Sequence, residues 1–477
     1  MVSPGAKAGI CLGCGGFSVV CGAAMVILWP TIFFSQLKNM MILTPDSRSF
    51  EVWHETPVPM YLECFFLHID NSEEMMATPG LKPKIVQMGP YIFKETHTKS
   101  NITFNNNSTV TFYNKRFWYF VPEKSNGTLE DIVTSINPVV AVSIPHIFSD
   151  DRNEHMFLTA NVSSWLFDGI EDPLLDIAAD IPALNLQIPF DRFGWFYTRN
   201  GSETFDGIFL MNTGANDFSS LGNVEKWKYS NRTMYRDECG EVRGSTGELW
   251  APELGQPEVE IFAPDICTFM VLTKDGDHVV EGISGVRYQA NSSVFDNGHH
   301  YPHMSCYCDK EYPKECMKSG ALNVSECRFG APAFVSQPHF FNADPSYVDA
   351  VEGLNPTPDM NFRLTLEMFT GMPLAVAAQL QINMFVRKVP GFTILRPFVK
   401  DTMVPMFWFR QEMEITPSYA RMAKFALNLR DGMMIFFYVL TVSICILVAG
   451  IFVFMKNMFS APDRRPILED TDQTESE

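Results

Sequence analysis

ICLGCGGFSVVCGAAMVILWPTIFF, residues 10–34, contains no charged side chain, and the uncharged run reaches from Lys7 to Lys38. A helix crosses a bilayer core with roughly 20 apolar residues, so this segment is long enough to span one. A cleaved signal peptide is the competing reading, but its apolar run is shorter and ends at a small-residue cleavage site. Trp29 and Pro30 stand near one end, where an aromatic residue suits the membrane interface. The other terminus repeats the pattern. MMIFFYVLTVSICILVAGIFVFM, residues 433–455, lies uncharged between Asp431 and Lys456. The expected organisation is a cytosolic tail (1–9), a transmembrane helix (10–34), an ectodomain (35–432), a second transmembrane helix (433–455) and a second cytosolic tail (456–477).

Lysine and arginine do not set the orientation. Lys7, Lys456, Arg464 and Arg465 lie outside the spans, but Lys38, Arg421, Lys424 and Arg430 lie between them. Glycosylation sequons are more decisive. They occur at Asn101, Asn106, Asn107, Asn126, Asn161, Asn200, Asn231, Asn291 and Asn323, all between the spans. Asn106 and Asn107 overlap, so one of the pair is expected to be used. This segregation places the middle of the chain in a glycosylated lumen or outside the cell. Cys64, Cys239, Cys267, Cys306, Cys308, Cys316 and Cys327 fall in the same region, and clustered cysteines in an exported domain read as disulfides. Zinc is the alternative, since His299, His300 and His303 precede Cys306 and Cys308, but the spacing is not that of a structural zinc site. Seven cysteines leave one unpaired, and isolated Cys64 is the candidate.

The net charge of −19 argues against nucleic-acid partners, which need a basic face. No G-x-S-x-G, H-E-x-x-H, phosphate loop or G-x-G-x-x-G is present. Ser336 and His339 are close in sequence but lack an acidic orienter, so His339 reads as a packed histidine and the chain as a non-enzyme without cofactor or metal.

The middle reads as strand-rich α+β. Thr109–Tyr113 and Arg116–Val121 are β-branched or aromatic runs separated by Asn114-Lys115, a hairpin pattern. Val259–Phe262 and Thr268–Leu272 read as two more strands. Asp172-Pro173 reads as a helix N-cap followed by Pro, with Leu174, Ile177, Ala178 and Ile181 on one packed face.

Gly89-Pro-Tyr-Ile-Phe93 followed by Glu95 resembles an element of the class B scavenger receptor family. Ser164-Trp-Leu-Phe-Asp-Gly-Ile-Glu-Asp-Pro173, Phe193-Gly-Trp-Phe-Tyr197 with Asn200-Gly201, and Thr213-Gly214 follow in the family's order. So do Phe262-Ala-Pro-Asp-Ile-Cys267, Cys306-Tyr-Cys308, Pro338-His-Phe340, Gly353-Leu-Asn-Pro356, Gln381-Ile-Asn383 and Pro405-Met-Phe-Trp408. The resemblance runs from the first span to the second. It implies two transmembrane helices flanking an antiparallel β-barrel-like ectodomain with short helices and a hydrophobic tunnel toward the membrane. It also implies the bridges Cys239–Cys306, Cys267–Cys327 and Cys308–Cys316.

The function implied is a lipid receptor or transporter for fatty acid, sterol, carotenoid or lipoprotein-borne lipid; a trafficking receptor for a protein cargo bound at the apex is the alternative. Three departures from the family stand out. The apical stretch Ile136–Leu166 is short, Asp150, Asp151 and Glu154 make it acidic, and Asn361 replaces a histidine. In the C-terminal tail, Asp463 followed by Ile467 and Leu468 resembles an acidic di-leucine signal read by clathrin adaptors, which points to the cell membrane and to endosomes or lysosomes.

Overall fold

A computed structural model of the chain describes residues 4–143, 156–172, 175, 190–252, 255–308, 316–328, 330–389 and 393–459. It separates into two compact units, Met1–Asn39 with Arg421–Glu477, and Met40–Ala420.

The first unit is a helix pair. The N-terminal helix is Pro4–Met41 and the C-terminal helix Pro417–Phe459, and both are apolar and long enough to cross a membrane. Trp29 donates its indole N–H to the Arg430 carbonyl at 3.0 Å, and its ring meets Phe437 edge-on at 5.7 Å. The C-terminal helix begins well before Met433, where the uncharged run starts, because Pro417 suits a first turn and no further proline follows it in the helix.

The second unit is built on one large antiparallel sheet. Its strands are β1 (Met60–Ile69), β2 (Ile85–Phe104), β3 (Thr109–Phe120), β4 (Ile132–Ile136), β5 (Phe157–Asn161), β6 (Ile170–Glu171), β7 (Arg192–Phe193), β8 (Ile208–Asn212), β9 (Val224–Trp227), β10 (Glu258–Ala263), β11 (Thr268–Val280), β12 (Ile283–Ala290), β13 (Leu322–Asn323), β14 (Ala333–Ser336), β15 (Arg363–Glu367), β16 (Pro373–Val386) and β17 (Thr402–Glu414). The main sheet runs β10-β11-β12-β15-β16-β17-β1-β2-β3-β8-β9, with β14 against β16 and β13 against β14. β4 with β5, and β6 with β7, form small separate pairs.

The two edges of the main sheet nearly meet. Ser245 bridges Asn223, beside β9, and Ile261 of β10. Val224 N–H donates to the Gly244 carbonyl at 2.8 Å, and Phe262 N–H to the Ser245 carbonyl at 2.9 Å. One short segment thus satisfies both exposed strand edges, as a barrel does by closing. Gly244 has φ +93°, and a Cβ there would sit 2.9 Å from the Glu260 backbone.

The β1–β2 pairing shifts register between Cys64 and Phe66. Gly89 sits opposite this irregularity with φ +105°, and a Cβ there would lie 2.6 Å from the Cys64 carbonyl. That is a physical reason for the glycine of the Gly89-Pro-Tyr element. Tyr91 then enters the core, fully buried, with its hydroxyl on Asp131 at 3.0 Å.

The expected hairpin at Asn114-Lys115 does not form. Residues 109–120 are one strand, in which Asn114 faces Lys99 and Lys115 faces Thr98 across the β2–β3 ladder. A two-residue hairpin turn needs positive φ, which Asn-Lys supplies poorly. The chain reverses instead at Asn105–Ser108, where Ser108 has φ +62°. Val259–Phe262 and Thr268–Leu272 lie in β10 and β11, paired antiparallel. Asp172 is buried and accepts from the Asn137 amide at 3.2 Å, but most of the helix expected after it lies outside the described residues.

Candidate functional site

Alternation along the strands creates an apolar cavity of about 170 Å³ in the second unit. From β16 come Leu380, Ile382 and Met384; from β17, Phe407 and Phe409; from β14, Ala333 and Val335. Leu380 is directly opposite Phe409, and Ile382 opposite Phe407. Residues of the opposite parity turn away and satisfy one another. Gln381 donates to Asn383 Oδ1 at 2.8 Å, Asn383 donates to Ser336 Oγ at 3.0 Å, and Trp408 stacks on Phe65 at 3.8 Å. A period of two therefore places oil on one face and a closed polar network on the other. The segment Phe193–Arg199 covers the remaining side with Phe193, Trp195 and Phe196. The size is close to the ~150 Å³ of an apolar cavity that stays dry and admits benzene. It suits a stretch of alkyl chain.

One wall of the cavity is ionic. Arg199, Asp265 and Arg328 line it. Arg199 reaches Asp265 at 2.8 Å through Nη1 and Asp206 at 2.8 Å through Nη2, and Arg116 holds the other Asp206 oxygen at 3.0 Å. Arg328 Nη2 donates to the Asp265 carbonyl at 2.5 Å and stands 3.8 Å from its carboxylate. The chain of charge continues away from the cavity through Arg116 to Glu95, His97, Glu248 and Lys99, the last pair at 2.6 Å.

Burial alone would raise the Asp265 carboxyl, but Arg199, Arg116 and Arg328 outweigh it and hold the group well below the carboxylate range. Glu95 and Glu248 likewise face a burial penalty. His97 and Arg116 overcome it for Glu95, and Lys99 and His97 for Glu248, bringing each to about 2. Arg328 differs. Desolvation pushes its guanidinium down, Asp265 opposes this, and the Arg199 charge adds to the depression. About a third of its side chain (34%) remains accessible.

Ser336 and His339 do not form a nucleophile–base pair. Ser336 Oγ donates to the Gln337 carbonyl at 3.0 Å. His339 Nδ1 accepts from Asn355 N–H at 2.9 Å, so Nε2 carries the proton and donates to Gln87 Oε1 at 2.7 Å. Trp408 donates to the same Gln87 oxygen at 2.9 Å. His339 is a packed histidine with one neutral tautomer, and burial brings its pKa down to about 4.

Cys239 is bonded to Cys306, Cys267 to Cys327 and Cys308 to Cys316, with Cα separations of 5.8, 6.3 and 5.0 Å. Cys64 is buried and unbridged. Asn361 is buried and donates to the Ala290 carbonyl at 3.0 Å. Asn101, Asn106, Asn107, Asn126, Asn200 and Asn231 are exposed, whereas Asn161, Asn291 and Asn323 are half-buried. Asp150, Asp151, Glu154, Asp463, Ile467 and Leu468 lie outside the described residues.

Sequence reasoning did not single out Arg116, Arg199, Asp206 and Arg328, and it quoted Asp265 only as part of a motif. A usable signal was present. Ala-Pro-Asp265-Ile-Cys puts an acid inside an apolar run beside a bridged cysteine, and such an acid needs a buried cation. Which arginine answers it is a long-range fact that local sequence does not carry.

A family model described as the CD36 family matches residues 13–456. The chain is 33% identical to scavenger receptor class B member 1 of Sus scrofa over 82% of its own length and 77% of the relative's. It is 32% identical to protein peste of Drosophila melanogaster over 82% and 72%, and 27% identical to lysosome membrane protein 2 of Homo sapiens over 82% of each. With the two terminal apolar helices, these relatives make the chain a membrane protein.

Proposed function

The chain belongs to the CD36 family, and from that membership we propose that it is a receptor whose ectodomain accepts lipid from a carrier or particle and passes it toward the bilayer. The observation that carries this reading is the apolar cavity walled by Leu380, Ile382, Phe407 and Phe409. Each methylene moved from water into such a wall contributes ~0.8 kcal/mol, enough for a few buried carbons to favour capture. Fatty acids, sterols and carotenoids all present such carbons. The topology proposed puts both tails in the cytosol and the glycosylated, disulfide-bonded unit outside or in a lumen, with residence shared between the cell membrane and endolysosomes. The named sequons, all between the two spans, support it.

The test is mass spectrometry of lipid that co-purifies with the full chain, compared with Leu380→Trp, which fills the cavity. Wild type carrying a stoichiometric lipid that the variant lacks is the expected result. A lipid-free wild type with a stoichiometric protein partner would instead establish the cargo-receptor reading.

A further inference from the structure

The face of β2 that lines the core changes character along the strand. Tyr91 and Phe93 are buried apolar residues, whereas Glu95, His97 and Lys99, next in the same parity, are polar. The neighbouring strands change in step. On β3, Trp118 gives way to Arg116, which faces His97 across the ladder. On β17, Phe409 gives way to Gln411, whose amide donates to Glu95 Oε2 at 3.0 Å. Asp206 and Glu248 enter from loops and join these groups into a belt. Arg116 holds Asp206 at 3.0 Å, Lys99 holds Glu248 at 2.6 Å, and His97 touches Glu95 and stands 3.7 Å from Glu248. Arg199 links the belt to Asp265 and Arg328 in the cavity wall. Lys99, Arg116, Arg199 and Arg328 thus balance Glu95, Asp206, Glu248 and Asp265.

The belt parts two apolar regions. Phe93, Trp118 and Phe407 belong to the cluster that holds the cavity, and Trp53, Phe112, Phe209 and Met211 to a separate one. Lys99 Nζ marks the border, 5.8 Å from the ring centres of both Trp53 and Phe112. On strands β11, β12 and β15, Leu272, Val286, Tyr288 and Leu366 are fully buried and fill the core. An alkyl chain moving from the cavity to the second cluster therefore meets buried charges already paired with one another. Parting them leaves charges unpaired away from water, and an alkyl chain offers nothing in return.

We propose that this belt is a gate on the lipid route: it separates the cavity from the Trp53–Phe112 side of the barrel and limits how fast lipid crosses between them. The inference rests on the lipid reading above and adds the step that controls passage. Lys99 and Glu248 form the end of the belt nearest the second cluster, and removing both keeps the charges balanced.

The experiment photolabels the full chain in nanodiscs with methyl oleate carrying a mid-chain diazirine and maps the labelled residues over time by mass spectrometry. Wild type is compared with Lys99→Met/Glu248→Met, since replacing a buried ion pair with apolar side chains of similar volume is often neutral for the fold. In wild type the label should fall on Phe407 and Phe409 and be lost from Trp53 and Phe112. The double variant should carry label on both sides, and sooner. Equal labelling of both sides in wild type overturns the gate and leaves the lipid reading standing. A folded double variant with the wild-type pattern and time course does the same. No label on either side overturns both readings. If the double variant fails to fold, His97→Phe decides by the same readout: earlier label at Trp53 and Phe112 supports the gate, and an unchanged pattern overturns it.

Discussion

Arg328 stands 3.8 Å from the Asp265 carboxylate because the chain is cross-linked beside both, Cys327 preceding Arg328 and Cys267 following Ile266. The bridge holds two loops that carry opposite charges into one cavity wall. Replacing Cys267 and Cys327 together with serine should therefore cost about 2–5 kcal/mol and reduce export. Cys64→Ala should be milder, since it trims one buried sulfur and breaks no link. Surface biotinylation with endoglycosidase sensitivity reads both, and equal delivery of the two variants would count against a structural role for the bridge.

Arg199 is the joint of the ionic chain, pairing with Asp206 and Asp265 at once. Arg199→Met leaves the buried Asp206 and the half-buried Asp265 with weaker partners. Breaking a buried pair from one side costs about 3–5 kcal/mol, so the variant should melt well below wild type and be retained during export. Arg48→Met, at an exposed pair with Glu51, should change stability by less than about 1 kcal/mol. Similar melting temperatures for the two variants would show that the network contributes little.

The terminal helices were legible in the sequence because an uncharged apolar run of that length is what a bilayer core selects. The strand pair Val259–Phe262 with Thr268–Leu272 was legible because both are dense in β-formers. Asn114-Lys115 was misread. Polar residues within a long strand resemble a turn when their cross-strand partners, Lys99 and Thr98, are unknown. The cavity was legible only in part. Leu380, Ile382 and Met384 alternate with Gln379, Gln381 and Asn383, which marks a two-faced strand, but a two-faced strand packs solid cores as readily as it lines cavities. The ionic wall depends on residues far apart in sequence, and each looks like an ordinary surface charge until the fold brings them together.

Asn200 carries a sequon but also a structural task. Its Oδ1 accepts from Trp118 N–H at 3.1 Å and its Nδ2 faces the Trp118 carbonyl at 3.4 Å. A glycan on Nδ2 removes one donor hydrogen and must leave through that contact. Glycopeptide mass spectrometry should find lower occupancy at Asn200, whose Oδ1 and Nδ2 are both engaged, than at Asn231, whose exposed side chain makes no such contact among the described residues. Full occupancy at Asn200 would mean that the contact yields to the sugar.

The tail segment Asp463-Arg-Arg-Pro-Ile467-Leu468 pairs an acid with two aliphatic residues in a polar stretch, which gives an adaptor an apolar pair to grip. Replacing Ile467 and Leu468 with alanine should raise surface abundance and slow internalisation. Unchanged surface levels and uptake in the double variant would favour plain cell-surface residence.

His339 makes stability depend on pH in a defined window. Its folded pKa is about 4 against an ordinary 6.5. Burial is the main cause, and Asn355 N–H pointing at Nδ1 blocks the site a second proton would take. Between pH 6.5 and 4 the unfolded chain therefore binds a proton that the folded one refuses, and stability falls as pH falls. The full effect is about 3 kcal/mol at most, from 1.36 kcal/mol per pH unit. Glu95 and Glu248 act lower down. Their folded pKa of about 2 lies beneath the ordinary 4.5, so their contribution is complete above 4.5 and is lost as pH drops toward 2. Thermal unfolding of the full chain should thus show two declines on acidification, an upper one from His339 with His68, which burial also shifts down, and a lower one from the carboxylates. His339→Asn tests the assignment. Asparagine tolerates the φ of +52° at this position and can accept from Asn355 N–H, but it does not titrate. The variant should show a smaller upper decline, the remainder belonging to His68, whose pKa burial also lowers, and keep the lower one. A wild-type curve that is flat from pH 6.5 to 4.5, or a variant whose upper decline equals that of wild type, would exclude His339 as a source. If the decline is present, acidification loosens the outer face of β17, where Gln87 joins His339 to Trp408, on the strand that carries the cavity residues Phe407 and Phe409.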